Sequence, residues 1–422
     1  MTAPYQSDCF QSPGTDGRLM SLDWALAALL TRIQPLTETE TVPLQAANRR
    51  ILAADQVSTV TVPPFANAAM DGWAMAHRDL VGTTAITLPI GGRIAAGHPL
   101  TEPVKPGHAY RIFTGAPLPE GLDSVVMQEQ ARTDEAGFVT IPPGVTQGSH
   151  VRLAGESIAL GSTPLTAGTR LYPQHLGVAA TMGLTHLPVI RRVRVAIFST
   201  GDEIRQPGEP LPAGAIYDAN RTTLAALLSE LGCVVTDLGI LPDQPAPLTA
   251  ALRDAAPHQD LILTSGGVSV GEEDHIKAAV SELGALHAWK LAIKPGKPLA
   301  VGQICGVPFL GLPGNPVAVM VTFLLFGRPL VLRMSGGKMT PPPRYELPAA
   351  FSLTTKPGRR EFPRARLQPS PFGLTVALLP SESSGVMTSL SAADGLLDLP
   401  ETGVTIHIGD PVAFLSFAEM LG

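Results

Sequence analysis

Between residues 191 and 332 the sequence alternates short apolar runs with helix-length amphipathic segments, and this alternation constrains the fold more than any other feature. "VRVAIFS" reads as a buried strand. "NRTTLAALLSELG" follows as a helix, with apolar positions at Leu224, Leu227, Leu228 and Leu231 and a closing glycine. "CVVTDLG", "APLTAALRDAA", "DLILTSGG" and "DHIKAAVSELG" continue as strand, helix, strand and helix, and "VPFLGLPGNPVAVMVTFLLF" adds a further strand-to-helix unit. Strands joined through helices need right-handed crossovers, so a parallel sheet with helices on both faces is expected. Ligands of such sheets bind beyond the carboxyl ends of the strands, so the chemistry is sought in those turns.

The rest of the 422 residues is organised differently. Residues 21–33 read as an amphipathic helix that Ser21 can cap, with Leu22, Leu26, Leu29 and Ile33 on one face. Residues 57–150 carry short β-prone runs ("TAITLPI", "AYRIF", "SVVMQ") between turns. With 42 glycines and 41 prolines in the chain, many short strands and few long helices are expected. The prolines of "TPPPRYELP" mark a linker, and the tail beyond it reads as a small β module.

A formal net charge of −6 argues against nucleic acid as the main ligand, while leaving room for a local basic pocket. Cys9, Cys233 and Cys305 form no C-x-x-C pair, which fits a reducing compartment and argues against a structural zinc or iron–sulfur site. Cys233 and Cys305 lie in apolar sequence and are expected to be small core residues. The N-terminus has no basic stretch followed by an apolar one. The most apolar run, Val317 to Phe326, is half the ~20 residues that span a bilayer, and Gly327, Arg328 and Pro329 are expected to close it. Cytoplasmic placement with no membrane contact is therefore expected.

Four strand-end turns combine unusual residues. "FSTGDEI" carries Asp202 and Glu203, and "LGILPDQP" carries Asp243. In "TSGGVSVGEEDH", Ser265, Gly266, Gly267 and Ser269 can turn backbone N–H groups toward an anion. Gly266 and Gly271 copy the glycine spacing of a lysine-type phosphate loop, yet Glu272 and Glu273 stand where that loop's lysine and hydroxyl would be, and Asp274 follows. "GLPGNP" offers Pro313, then Asn315 as a helix cap ahead of Pro316. Acids at a helix start can simply suit the dipole, which accounts for Glu272 and Glu273. Glu203, Asp243 and Asp274 on neighbouring strand ends would repel one another without a cation, and oxygen ligands beside a phosphate cradle suit Mg²⁺. A lysine could come from "KLAIKPGKPLA", where Lys294 and Lys297 sit in a rigid turn; an ordinary surface lysine pair is the other reading. Asp71 in "NAAMDGWAM" and Thr114 in "RIFTGAPLPEG" either act on a ligand or only shape turns.

Taken together, "NAAMDGWA", "RIFTGAPLPEG", "VVMQE", "FSTGDE", "IYDAN", "TSGGVSVGEEDH", "KLAIKPGKP", "GLPGNP" and "KPGRREFPR" resemble the molybdopterin molybdotransferase family, which includes the E domain of gephyrin. The resemblance runs over nearly the whole chain. It implies a multidomain α/β and β protein. An elongated, discontinuous connector domain would span 18–56 and 151–185, and a β-rich domain 57–150. A central three-layer α/β/α domain with a mostly parallel sheet would span 186–335, and a small C-terminal β domain 343–422. The implied reaction inserts molybdenum from molybdate into adenylylated molybdopterin, with Mg²⁺-dependent release of AMP.

By motif, Asp71, Thr114, Glu203, Asp243 and Asp274 are the implied catalytic residues, with Asp274, Asp243 and Glu203 also handling the metal. Ser265, Gly266, Gly267, Ser269, Asp218, Pro313 and Asn315 would bind substrate, and Lys294, Lys297, Arg359 and Ser384 would form the molybdate pocket. A homodimer is implied, with Asp71 and Thr114 facing the partner subunit, together with an upstream adenylyltransferase and downstream molybdoenzyme-maturation partners. One position departs from the pattern: Ser157 follows Glu156 where the family usually carries an aspartate. A paralogue that binds molybdopterin or molybdate without efficient insertion, and a gephyrin-like scaffold, are the alternatives.

Overall fold

The computed structural model describes residues 19–267, 275–338, 341–380 and 383–421. Its central sheet has six strands: β1 (Arg194–Thr200), β2 (Val234–Leu241), β3 (Leu261–Ser265), β4 (Gly284–Lys290), β5 (Pro298–Ile304) and β6 (Val307–Leu312). Their spatial order is β2-β1-β3-β6-β5-β4. The first four of that row are parallel, and β5 alone runs against its neighbours.

Successive side chains of a strand point to opposite faces, so both sides of this sheet are apolar. Val195 and Ile197 pack on one face with helices α1 (Leu22–Leu30), α2 (Ala219–Glu230) and α5 (Pro316–Met334). Ala196 and Phe198 pack on the other with α3 (Pro245–Ala255) and α4 (His275–Leu283). Burial on both faces is why these strands read as unbroken apolar runs rather than as alternating ones. The expected α2 positions Leu224, Leu227, Leu228 and Leu231 are all buried. Ser21 caps α1 by accepting from the Trp24 N–H at 3.4 Å.

Three readings from the sequence need correction here. The apolar run at 317–326 does not stop at Gly327–Arg328–Pro329; the helix continues to Met334. Pro329 lacks an N–H and would clash with the preceding turn of a regular helix. A π segment at Phe323–Gly327 widens the helix just before it and lets the chain pass. Arg328 is itself buried, its Nε donating to the Met420 carbonyl. Helix α5 is long and apolar enough to cross a membrane by length and composition, but 78 % of that stretch is buried within this fold, as a core helix would be.

Cys305 is the second correction. It is exposed, at the two-residue tip of the β5–β6 hairpin, where Cys305 (φ 48°) and Gly306 (φ 82°) both have positive φ as a type I′ turn requires. Cys233 does pack against the core, and burial pushes its thiol up to about 12. The third correction concerns Asn315. It occupies the N-cap position of α5 but makes no side-chain cap bond.

The remaining domains flank this one. In the connector, Thr39–Pro43 pairs antiparallel with His186–Ile190 over a core that includes Leu52, Leu165, Leu171 and Leu187. Two antiparallel chain segments, bridged at Gln56–Leu165, Val62–Ile158 and Asn67–Arg152, lead from it into the β-rich domain. Ser157 lies on this arm, its N–H donating to the Val62 carbonyl. The β-rich domain holds a six-stranded sheet that contains Gly72–Met75, Ala109–Ile112 and Ser124–Met127. The C-terminal domain is a five-stranded antiparallel sheet packed around Leu397, Leu399 and Phe414.

Candidate active site

The sheet order sets the sequence-derived site residues in a row. From β1 the chain crosses to β2 on one side, then returns past β1 to β3 on the other, which opens a crevice between the carboxyl ends of β1 and β3. Along that carboxyl edge stand Asp243 after β2, Gly201–Glu203 after β1, Ser265–Gly267 after β3 and Pro313–Asn315 after β6. The turn from β4 to β5, with Lys294 and Lys297, opens on the same edge because β4 runs parallel to β6. Acids therefore hold one end, glycine-rich turns the middle and lysines the other end. At about 4.8 Å per strand, β2 to β5 spans roughly 19 Å.

The middle turns are packed against each other. Gly267 has φ 62°, and a Cβ there would lie 2.4 Å from Ile276 Cδ1 and 3.1 Å from Thr200 Oγ1. A Cβ on Gly314 would lie 3.6 Å from the Gly266 Cα, so these two turns touch. The Gly266 N–H donates to the Leu312 carbonyl at 3.1 Å, and the Val317 N–H in the first turn of α5 donates to the Ser384 carbonyl at 3.1 Å. Two amides that the sequence offered to an anion are thus spent within the protein. Ser269, Glu272, Glu273 and Asp274 lie outside the described residues.

Helix α2 starts beside this edge. Asp218, 4 % exposed, caps it by accepting from the Arg221 N–H at 3.1 Å and pairs with Arg221 Nε at 2.9 Å. Arg221 also pairs with Asp237 and donates to Gln206 Oε1. The Asp218 carboxylate is therefore engaged in building the turn. Its neighbour Asn220, which sequence reasoning missed, is the residue that reaches across: Nδ2 donates to the Gly314 carbonyl at 2.7 Å. Its Oδ1 is buried and has no partner among the described residues. The motif "IYDAN" contained it, but a contact across 94 residues leaves no local signal.

The C-terminal domain closes the basic end. Ile293–Lys294 pairs parallel with Arg360–Glu361, and Lys294 Nζ lies 3.1 Å from Glu361. Gly296 has φ 105° and packs on α5, where a Cβ would lie 2.4 Å from Thr322 Oγ1. Ser384 meets the start of the same helix through Val317. Lys294, Ser384 and the Pro313–Asn315 turn are thereby tied to one helix and one domain junction. Lys297 and Arg359 are exposed, and neither side chain makes a hydrogen bond or ion pair among the described residues. A cleft of about 290 Å³ at this junction is lined by Lys294, Pro295, Glu361 and Arg364.

Asp71 and Thr114 do come together, inside the β-rich domain. Asp71 Oδ1 accepts from the Thr114 N–H at 2.8 Å and from its hydroxyl at 2.7 Å, and these two bonds hold the carboxyl below its ordinary value. Neither residue's side chain bonds to the described residues of the α/β domain of the same chain. For a divalent metal, the described residues contain no group of three His, Cys, Asp or Glu side chains that could hold one. Mg²⁺ commonly needs only one or two carboxylates plus substrate phosphates. Glu203 and Asp243, on the adjoining ends of β1 and β2, fit that donor set.

Comparison with known proteins covers almost the whole chain. Residues 20–183 match the MoeA N-terminal region (domain I and II), 196–333 a probable molybdopterin binding domain, and 346–417 the MoeA C-terminal region (domain IV). A molybdopterin molybdenumtransferase of Haemophilus influenzae is 37 % identical over 406 residues, covering 96 % of this chain and all of that one. Molybdopterin molybdenumtransferase 2 of Mycobacterium tuberculosis is 38 % identical over 394 residues, 91 % of this chain and 95 % of that one. Among solved structures, a molybdopterin biosynthesis MoeA protein from Pyrococcus horikoshii superposes with a TM-score of 0.82 at 26 % identity, over 95 % of this chain and 100 % of that one.

Proposed function

This chain belongs to the MoeA family of molybdopterin molybdenumtransferases, and on that premise we propose that it transfers molybdenum from molybdate to adenylylated molybdopterin and releases AMP. The observation that carries this reading is the order of groups along the carboxyl edge of the sheet. A substrate with a phosphoanhydride toward one end and a dithiolene at the other needs acids and a phosphate cradle at one place and an oxyanion pocket at another. An edge of roughly 19 Å with acids, glycine turns and then lysines is arranged for such a molecule.

In this reading Ser265, Gly266, Gly267 and Ser269, with Pro313 and Asn315, lie along the phosphates, and the remaining N–H groups of those turns donate to them. Lys294, Lys297 and Arg359 attract and desolvate the molybdate dianion, with Ser384 completing the pocket. Glu361 holds the Lys294 ammonium in place. Glu203, Asp243 and Asp274 would hold Mg²⁺, which when bound supplies charge neutralisation at a phosphoanhydride. Asp71, kept ionised by Thr114, is assigned to the α/β domain of a second copy in a homodimer. No covalent nucleophile of the protein is required: water adds at the phosphoanhydride phosphorus as AMP leaves, assisted by positioning and charge neutralisation.

Lys297→Ala tests the division of labour. Its molybdate requirement is expected to rise at least tenfold while its affinity for adenylylated molybdopterin stays near that of the parent, since the loss of one charge-assisted contact is worth roughly tenfold or more. Equal losses for both ligands would remove Lys297 from the oxyanion pocket.

A further inference from the structure

At the far end of α5 the connector, the α/β domain and the C-terminal domain enclose a cavity of about 400 Å³, lined by Arg170, Tyr172, Arg328, Lys338, Pro341–Pro343 and Glu419. Arg328 is the residue that calls for an explanation. It is 8 % exposed, and its side chain makes one hydrogen bond among the described residues, from Nε to the Met420 carbonyl. No carboxylate among the described residues pairs with it. Burial, and then the like charge of Arg170, hold its guanidinium below the usual arginine range. A buried cation without a counter-charge is costly to maintain. Arg328 is among the residues that line the cavity.

The surroundings make this a cationic recess. Arg170 stacks over the Tyr172 ring at 5.8 Å, and Lys338 Nζ reaches Thr166 Oγ1 at 3.0 Å on the rim. The single acid, Glu419, accepts from the Tyr345 hydroxyl at 3.1 Å. The lining thus carries three cationic side chains, one of which, Arg170, also donates to the Glu230 carbonyl, and one acid. The volume falls within the ~300–1,000 Å³ that holds a whole small molecule. The Tyr172 ring and Pro341–Pro343 supply the apolar part of the lining.

We propose that this cavity binds a small phosphate monoester. Arg328 is the buried anchor for the phosphate, Arg170 and Lys338 flank it, and Tyr172 with Pro341–Pro343 takes the organic part. The site is separate from the candidate active site: Arg328 lies twelve residues along α5 from Pro316, about 18 Å at 1.5 Å per residue. It stands or falls independently of the reaction proposed above.

Calorimetric titration of the full chain with phenyl phosphate, inorganic phosphate and phenol tests it. Phenyl phosphate is expected to bind at least tenfold more tightly than either of the others. Lys338→Ala, at an exposed position, is expected to weaken it roughly tenfold, as is Arg170→Gln. Lys297→Ala should leave it unchanged. Arg328→Met should abolish binding while keeping or raising Tm, because it removes an unpaired buried charge. Equal affinity for inorganic phosphate would overturn the assignment to a monoester. Absence of binding, binding that survives both Lys338→Ala and Arg328→Met, or binding lost only in Lys297→Ala would overturn the site itself.

Discussion

Gly267 carries more of the candidate site than its lack of a side chain suggests. Its left-handed backbone and its closeness to Ile276 and Thr200 leave no space for a Cβ. Gly267→Ala is expected to lower stability by about 1–3 kcal/mol, through backbone strain and overpacking together, and to reduce turnover further by displacing the turn. A urea melt alongside the turnover assay checks both; an unchanged melt would mean that the turn relaxes freely. At Asp71 the expectation concerns pH. The Thr114 bonds place its carboxyl below the ordinary value near 3.9, so its ionised form persists as pH falls to that value and is lost only below it. Thr114→Val removes the hydroxyl bond and should move the Asp71 titration upward, which carboxyl NMR can follow. The sequence marked Asp71, Thr114 and the glycine turns because each motif is locally unusual. It could not reveal that Asp218 is committed to Arg221, or that Asn220 bonds Gly314, because those assignments depend on which elements meet.

Helix α5 is the element where local and tertiary preferences oppose each other most clearly. Replacing a helix-interior glycine with alanine normally gains about 1 kcal/mol of propensity. At Gly327 the new Cβ would sit 2.6 Å from the buried Phe323 ring, inside the π segment that carries the chain past Pro329. Overpacking of about 1–3 kcal/mol outweighs the gain. Gly327→Ala is therefore expected to lower the urea midpoint; a rise would mean that the π segment is not required. Strands β1, β2, β3 and β6 and helices α2, α3 and α4 were legible from periodicity; β5, which runs against its neighbours, was not. The continuation of α5 was not, because arginine and proline read as stops unless a π turn and a burial site for the arginine are known. The β5–β6 hairpin was missed for a related reason: Cys-Gly adopts the turn that Asn-Gly usually marks. Helix α2 links two regions, with Asp218 and Asn220 at the candidate site and its last carbonyls held by arginines at the other end. Arg49 and Arg170 donate to the Glu230 carbonyl, and Arg192 to that of Gly232.

Across the whole molecule, two buried carboxylates set the expected response to acid. Burial alone would raise Asp260, but the bonds from Arg191 and Arg194 outweigh it and lower its pKa. Asp398 is lowered in the same way by Arg360 and Arg344, tying the linker to the C-terminal domain. A carboxylate lowered on folding contributes its full stability above the unfolded value near 3.9 and loses it as pH falls through the folded one. Neither aspartate should add a pH dependence between pH 5 and 7, and both should add a steep one below about pH 4. Asp260→Asn leaves Arg194 without its carboxylate and Arg191 with Glu38 alone, is expected to cost about 3 kcal/mol at neutral pH, and should reduce the acid slope. A variant with unchanged stability at pH 7 would contradict that assignment. The Asp260 network lies at the amino edge of the sheet, just before β3, whereas the Asp398 network adjoins the basic end through Arg360, which pairs with Ile293; Lys297 and Arg359 stay exposed. The central claim is that this edge performs one coupled transfer, and AMP release is its most direct measure. Purified protein given adenylylated molybdopterin and Mg²⁺ is expected to release AMP when molybdate is added and to release little without it. AMP release that is absent in both cases, or identical in both, would contradict the account.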